Sequence, residues 1–230
     1  MKTHRVVVTA MGVVTPIGIG IQSFFDGLST GHSGISKIDN FDVSTFPVRI
    51  GGEIKNKGLA ETIKKSHILS YDLLRYNFFD RKILFSLLAL DDLLYNLGID
   101  KIDKIDKREE IAEIEEISFL KKADLIFGSG LEELLFEDVV RLFSAEKKID
   151  YKNVAKILNG NPARYFVHTI EDWPAQYLAA LMNSQGTVVT DVSACAASAQ
   201  SVGVAYQRIK HGLNEIALAG GVDSMLNPCG

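Results

Sequence analysis

Cys195 is the residue whose type and position in the chain are best suited to chemistry. It follows the β-branched run 187–190 and precedes a stretch of very small residues that begins at Ala196. This pattern predicts a strand that turns directly into a helix, with the sulfur at the helix N-terminus. Unpaired backbone N–H groups and the helix dipole favour a thiolate there. We therefore expect Cys195 to be a nucleophile, with its own backbone N–H helping to bind the oxyanion of an attacked carbonyl.

A second interpretation of Cys195 stays open on local chemistry alone, because a cysteine among alanines is often only a small buried hydrophobic residue. The other cysteine, Cys229, stands next to Gly230 and is interpreted as incidental. The spacing of the two cysteines matches no metal-ligand motif and gives no disulfide framework. The sequence thus predicts reduced thiols, a cytoplasmic setting and no metal site.

The histidines of the chain stand in no motif typical of a catalytic base. The chain contains His4, His32, His67, His168 and His211. We interpret three of them as structural: His32 as a loop residue, His168 as a loop or substrate-side residue, and His211 as a cation at a helix C-terminus. The glycines of Gly18-Ile19-Gly20 and Gly128-Ser129-Gly130 complete no dinucleotide or phosphate-binding fingerprint, and both motifs are interpreted as tight strand exits. No cofactor is expected.

The composition excludes several classes of protein. A chain of 230 residues with 47% hydrophobic residues and a net charge of −4 is typical of a globular protein that buries a sizeable core. Lys and Arg form no strongly basic segment, so a nucleic-acid surface is not expected. The most apolar segment, 83–90, is far shorter than the roughly 20 residues that span a bilayer, and no membrane span is predicted.

Strands and helices alternate along the sequence. Short apolar runs that lead into glycine or a small residue predict buried strands at 5–9, 124–127, 187–190 and 216–219. Apolar residues at helical spacing predict helices at 73–97, 131–143 and 196–210. Residues 48–54 add a short edge strand or hairpin. This alternation predicts an α/β fold with a largely parallel sheet covered on both faces.

Two segments differ in charge from the rest of the chain. In residues 100–122, 14 of 23 residues are charged, and we interpret this segment as a solvated amphipathic helix or surface insertion rather than a docking element. By contrast, no charged residue lies between Asp191 and Arg208, about four helical turns. A helix without a polar face needs packing on all sides. We expect part of this helix to be exposed unless something else covers it, and hence self-association or a companion polypeptide.

Two parts of the sequence resemble one known family. Residues 192–200, VSACAASAQ, and their continuation to Met225 resemble the active-site region of the β-ketoacyl-acyl-carrier-protein synthases. The opening residues 5–18, RVVVTAMGVVTPIG, together with 31–35, resemble the start of the same family. The resemblance covers nearly all of the chain except about 100–122 and parts of 134–161.

This resemblance implies a fold, a reaction and partners. The fold would be the N-terminal half of a thiolase-like protein: residues 1–230 in α/β/α layers around a mixed, mostly parallel five-stranded sheet, with the charged insertion around 100–122. Cys195 would accept an acyl group from the phosphopantetheine of an acyl carrier protein. Decarboxylation of malonyl-carrier protein would then extend the chain, in fatty acid or polyketide-type biosynthesis, with no metal or redox cofactor.

Two departures from the family qualify this expectation. Asp191 stands where the family usually has an apolar residue, and a carboxylate close to the thiolate would oppose its ionisation. The family's decarboxylating histidines and supporting lysine lie in a second half, which we expect to be absent here and supplied, if at all, by a partner chain or in a homodimer. Two alternatives therefore stay open: a non-catalytic ketosynthase-like partner subunit, and a truncated relic.

Overall fold

The structure is a computed structural model that describes residues 3–66, 81–99, 115–130 and 171–226. Within these ranges the helices are α1 (Ile21–Ser29), α2 (Asn56–Lys65), α3 (Arg81–Asn96), α4 (Trp173–Leu181) and α5 (Ala197–Lys210). Short 3-10 helices span Glu115–Lys122 and Ala194–Ala196. The strands are β1 (Val14–Thr15), β2 (Gly18–Ile19), β3 (Ile35–Lys37), β4 (Ile50–Gly52), β5 (Asp124–Ser129), β6 (Val188–Asp191) and β7 (Ala217–Val222).

Strands β5, β6 and β7 form the central sheet of the described part of the chain. Their order is β6-β5-β7 and both pairings are parallel, with Gly128 opposite Asp191 in β6 and opposite Gly221 in β7. The strands are short and nearly continuously apolar, as is typical of strands covered on both faces. Two antiparallel pairs, β1-β2 and β3-β4, lie outside this sheet.

Helices cover the two faces of the central sheet. Leu125 and Phe127 belong to the main apolar cluster, together with Ile83 and Leu87 of α3 and Leu178 of α4. Because side chains alternate along a strand, Ile126 and Gly128 of β5 face the opposite side, and α5 packs there. The described elements thus form the expected α/β/α layers. They include three strands of the sheet, and the expectation of five strands stays a prediction.

Most of the predicted elements are confirmed where the structure describes the chain. The strands predicted at 124–127, 187–190 and 216–219 correspond to β5, β6 and β7, and the helix predicted at 196–210 corresponds to α5. The segment 48–54 contains β4, which pairs with β3. The helix predicted at 73–97 is α3 in its described part and ends before Gly98, whose φ is +79°. Residues 73–80, 131–143 and 100–114 of the charged segment lie outside the described residues.

The strand predicted at 5–9 is wrong for this structure. Residues 3–13 form no strand, and Val7 and Val8 are 56% and 76% exposed. Near this segment the His4 N–H donates to the Lys210 carbonyl at 2.9 Å. β-Branched residues favour an extended backbone, but a strand also needs a paired neighbour. Instead, residues 6–16 and the residues of β7 line a common cavity of about 950 Å³.

Candidate active site

Cys195 lies at the junction of β6 and α5. Strand β6 ends at Asp191, the 3-10 turn Ala194–Ala196 follows, and α5 begins at Ala197. Cys195 is the central residue of that turn and carries an exposed free thiol. The predicted strand-turn-helix arrangement is therefore present. It places the cysteine outside the carboxyl ends of the parallel strands, where open α/β sheets bind their ligands.

The backbone just before Cys195 is strained. Ala194 has a φ of +53°, and it is one of two non-glycine residues with positive φ in the described part of the chain. For a residue with a Cβ this left-handed conformation costs about 1–2 kcal/mol. Such residues persist only where their surroundings hold them, and they cluster at functional sites. The turn at Cys195 must therefore be held by its neighbours.

Hydrogen bonds on both sides of Ala194 hold the turn. The Asp191 Oδ1 accepts a hydrogen bond from the Ser193 N–H at 2.8 Å and another from the Ser193 hydroxyl. The Ser193 carbonyl in turn accepts from the Ala196 N–H at 3.2 Å. The carboxylate at the end of β6 is thus connected to the first turn of α5.

Two glycines let the start of α5 approach the sheet closely. A Cβ on Gly128 would lie 2.6 Å from the Ala197 carbonyl carbon and 2.7 Å from the Ser198 nitrogen. A Cβ on Gly221 would lie 2.1 Å from the Ser198 Oγ. The helix therefore rests on the backbone of β5 and β7, and these strands determine where the turn that carries Cys195 lies.

A buried ion pair fixes the other end of α5. The Arg208 Nε donates to the Asp124 Oδ2 at 2.6 Å, and a second guanidinium nitrogen donates to the Thr187 hydroxyl at 2.8 Å. The Asp124 Oδ1 also accepts from the Thr187 N–H at 2.9 Å. Burial by itself would raise the pKa of Asp124, but these hydrogen bonds, with the strongest from Arg208, hold it below its ordinary value. The network joins the beginnings of β5 and β6 to the last turn of α5.

The outer face of α5 is uncharged and exposed, and it includes Gln200 and Gln207. Ala197, Ser201 and Ala205 are buried against the sheet, whereas Val202 and Tyr206 are 52% and 42% exposed and line the cavity that residues 6–16 also line. This confirms the expectation that part of the uncharged helix lies open within the described part of the chain. The exposed face continues from the turn that carries Cys195.

Two of the described histidines lie at the end of α5 opposite Cys195. His211 is the C-terminal cap of α5, and the His4 N–H donates to the Lys210 carbonyl. The N–H of His32 donates to the Gly27 carbonyl after α1. His67, His168 and Cys229 lie outside the described residues. In the ranges that the structure describes, no cluster of His, Cys, Asp or Glu is arranged to hold a metal ion, and no helix is long and apolar enough to cross a bilayer.

Sequence reasoning missed three features of this site. It treated Gly128 as part of a strand exit, but the glycine lies inside β5 and its importance is the close approach of α5. It treated Asp191 only as an opposing charge, although an Asp two residues before a Ser is a known signal for a side-chain-to-backbone turn. Nothing in the sequence indicates the positive φ of Ala194, which a glycine would have revealed.

Comparison with known proteins gives one consistent result. The family model described as "Beta-ketoacyl synthase, N-terminal domain" matches residues 3–230. The 3-oxoacyl-[acyl-carrier-protein] synthase I, chloroplastic, of Arabidopsis thaliana is 29% identical over 229 residues, which cover 98% of this chain and 42% of that protein. The chain thus spans less than half the length of this relative.

Two solved structures share the fold. The ishigamide ketosynthase/chain length factor matches with a TM-score of 0.65 and 20% identity, over 99% of this chain and 49% of that one. A type II PKS acyl-carrier protein in complex with its ketosynthase, AntDE:AntF, matches with a TM-score of 0.57 and 19% identity, over 98% and 47% of the two chains. The common fold is a thiolase-like α/β architecture.

Proposed function

The chain belongs to the beta-ketoacyl synthase family, as its N-terminal domain, and on this premise we propose that Cys195 is the acyl-accepting nucleophile of a β-ketoacyl-acyl-carrier-protein synthase. The observation that carries the proposal is the position of the thiol. Cys195 is exposed on a strained turn at the N-terminus of α5 and at the carboxyl edge of the sheet. An incidental buried cysteine would need neither the exposure nor the strain.

The first proposed step is transfer of an acyl group between two thiols. The Cys195 thiolate attacks the carbonyl carbon of an acyl thioester on the phosphopantetheine of an acyl carrier protein. A new S–C bond forms, the carrier's S–C bond breaks, and the carrier leaves as a thiolate that takes up the proton lost when Cys195 ionised. In this proposal the Cys195 N–H donates to the oxyanion that develops on the carbonyl oxygen. A thiolate is both a good nucleophile and a good leaving group for this exchange.

The second proposed step is the condensation. A malonyl thioester loses carbon dioxide, and the resulting carbanion attacks the acyl group on Cys195, which releases the thiolate and forms the carbon–carbon bond. Neither step consumes or produces electrons, so the proposal includes no redox cofactor, and the thioesters need no metal for activation. The residues that would promote decarboxylation are not assigned to this chain. The proposed setting is the cytoplasm, where thiols stay reduced.

The exposed face of α5 supports a partner or a further part of the synthase over this half. Val202 and Tyr206 are exposed on α5, seven and eleven residues after Cys195. In the proposal, a second ketosynthase half, supplied by a homodimer or by a partner chain, covers this face and encloses the thiol. The acyl carrier protein is the proposed donor partner, because one structural relative is a ketosynthase in complex with such a protein.

The same exposed face favours a second candidate, a non-catalytic ketosynthase-like subunit that shapes a partner's cavity. One structural relative is itself a ketosynthase/chain length factor. The exposed thiol of Cys195 argues against this candidate, since such a subunit has no need of a nucleophile. Acyl loading of Cys195 separates the two.

Loading of the full chain with acyl groups tests the proposal. The chain is incubated with an acyl-carrier protein, and the acyl adduct is located by peptide mass spectrometry. We expect the adduct on Cys195, its loss in Cys195→Ala, and its retention in the matched control Cys229→Ala. We also expect iodoacetamide to alkylate Cys195 faster than Cys229. Loading that persists in Cys195→Ala, or equal and slow alkylation of both thiols, would overturn the assignment.

A further inference from the structure

The tripeptide Asp-Val-Ser occurs twice in the chain and forms the same hydrogen-bonded turn both times. In residues 42–44 the Asp42 carboxylate accepts from the Ser44 N–H at 2.9 Å and from the Ser44 hydroxyl at 3.0 Å. In residues 191–193 the Asp191 carboxylate accepts from the Ser193 N–H at 2.8 Å and from the Ser193 hydroxyl. The first turn lies between β3 and β4, and the second leads into Cys195.

The second turn is distinguished by the strained residue after it. The chain continues through Ala194 at a φ of +53°, and the Ala196 N–H returns a hydrogen bond to the Ser193 carbonyl. Ser193 is therefore held on one side by Asp191 and on the other by the first turn of the helix. Ala194 and Cys195 lie between these two contacts, so releasing the Asp191 contact frees the strained residue to relax.

Asp191 makes two hydrogen bonds to Ser193. These bonds hold the residue that directly precedes the strained Ala194. A charged acceptor makes stronger hydrogen bonds than a neutral one, and this suits a contact that holds a strained backbone.

We propose that Asp191 is a positioning residue that holds the Ser193–Ala196 turn so that the Cys195 thiol stays at the N-terminus of α5. The proposal rests on the proposed function only in that it gives the position of this thiol a purpose. Asp191 acts through the hydrogen bonds of its carboxylate and not through a direct electrostatic effect on the thiol. Asparagine retains an acceptor oxygen in the same place, whereas alanine removes it.

Alkylation of the Cys195 peptide by iodoacetamide, followed by mass spectrometry, tests the proposal in the full chain. We expect Asp191→Asn to retain the wild-type rate within about twofold or to exceed it. We expect Asp191→Ala to slow alkylation about tenfold or more, because it removes both hydrogen bonds that the charged carboxylate accepts from Ser193. Ser193→Ala keeps the backbone N–H contact and should lie between them. The matched control Asp42→Ala removes the identical turn elsewhere and should leave the rate at Cys195 unchanged.

Each outcome supports or overturns the positioning role. If Asp191→Asn and Asp191→Ala both accelerate alkylation to the same extent, the carboxylate acts through its charge and the proposal is wrong. It is also wrong if neither variant changes the rate, or if Asp42→Ala slows alkylation as much as Asp191→Ala does. Ser193→Ala keeps the test decisive if Asp191→Ala fails to fold. Because alkylation requires no acyl chemistry, failed acyl loading with an intact Asp191 effect would overturn only the proposed function.

Discussion

Replacing Gly128 with alanine should disturb Cys195 from the opposite side of the helix start. The new Cβ would lie 2.6 Å from the carbonyl carbon of Ala197, 2.9 Å from its oxygen and 2.7 Å from the Ser198 nitrogen. Carbon–carbon contacts are ordinarily about 3.5–4.0 Å, so the helix start must retreat by about 1 Å. All three atoms belong to the backbone, so no side-chain rotation can relieve the overlap.

The magnitude follows from this overlap. Forcing one extra methyl group into a packed contact costs about 1–3 kcal/mol. The smaller conformational entropy of the unfolded alanine variant returns only about 0.4–1 kcal/mol. The net expectation is a loss of about 1–2 kcal/mol in the free energy of unfolding. A 1 Å displacement of a reacting group can cost about 100-fold in rate, so acyl loading of Cys195 should fall far more than stability does.

Gly203→Ala is the matched control for this substitution. Gly203 lies on the exposed side of α5, and a Cβ there meets no atom within 4 Å. The same chemical change should therefore stabilise the chain by about 0.5–1 kcal/mol, because alanine favours the helix interior. Urea unfolding measures the stabilities, and acyl loading measures the effect at Cys195. If Gly128→Ala matches Gly203→Ala in both measurements, α5 does not depend on the close contact with β5 and the reasoning is refuted.

Two further predictions concern the far end and the outer face of α5. Asp124 has a lowered pKa in the folded chain. Its contribution to stability is therefore full above the unfolded pKa of about 3.9 and is lost as the pH falls through the folded pKa. Asp124→Asn should be less stable than wild type at pH 7, and urea unfolding should show this difference shrinking below pH 4. A difference that stays constant across this range would contradict the assigned role of the carboxylate. Val202→Ser should change the free energy of unfolding by less than about 0.5 kcal/mol, because the side chain is already 52% exposed. Size-exclusion chromatography should show less self-association of this variant than of the wild-type chain. A wild-type chain that already elutes as a soluble monomer would contradict self-association through α5.

The sequence predicted those elements whose formation depends on local pattern. The apolar strands β5, β6 and β7 and the helices α3 and α5 all carry their signal within a few consecutive residues. The strand predicted at 5–9 carries the same β-branched signal, yet residues 3–13 form no strand because no neighbour pairs with them in the described part of the chain. β-Branched residues indicate that a segment can adopt an extended backbone, but tertiary packing determines whether it pairs with another strand.

The candidate site likewise has features that the local sequence predicts and features that it does not. Cys195 could be identified because consecutive residues around it predict a strand-to-helix turn. The contact of Gly128 with Ala197 joins residues from two distant elements, and no local pattern predicts it. The positive φ of Ala194 accompanies the hydrogen bonds of Ser193 to Asp191 and Ala196, and an alanine in the sequence gives no sign of it. The contacts that fix the nucleophile in place are therefore the part of the site that sequence reasoning could not find.

These contacts separate two requirements of the proposed reaction. The place of the Cys195 thiol is determined by residues of the described chain: the backbone of β5 and β7 beneath α5, the turn of Asp191, and the ion pair of Arg208 at the far end. The described residues do not enclose the thiol, since the turn and the outer face of α5 are open to solvent. Alkylation by a small reagent needs only a correctly placed thiol, whereas condensation in a water-free site also needs the thiol to be enclosed. The chain alone should therefore show selective alkylation of Cys195, and condensation should require the surface that covers α5.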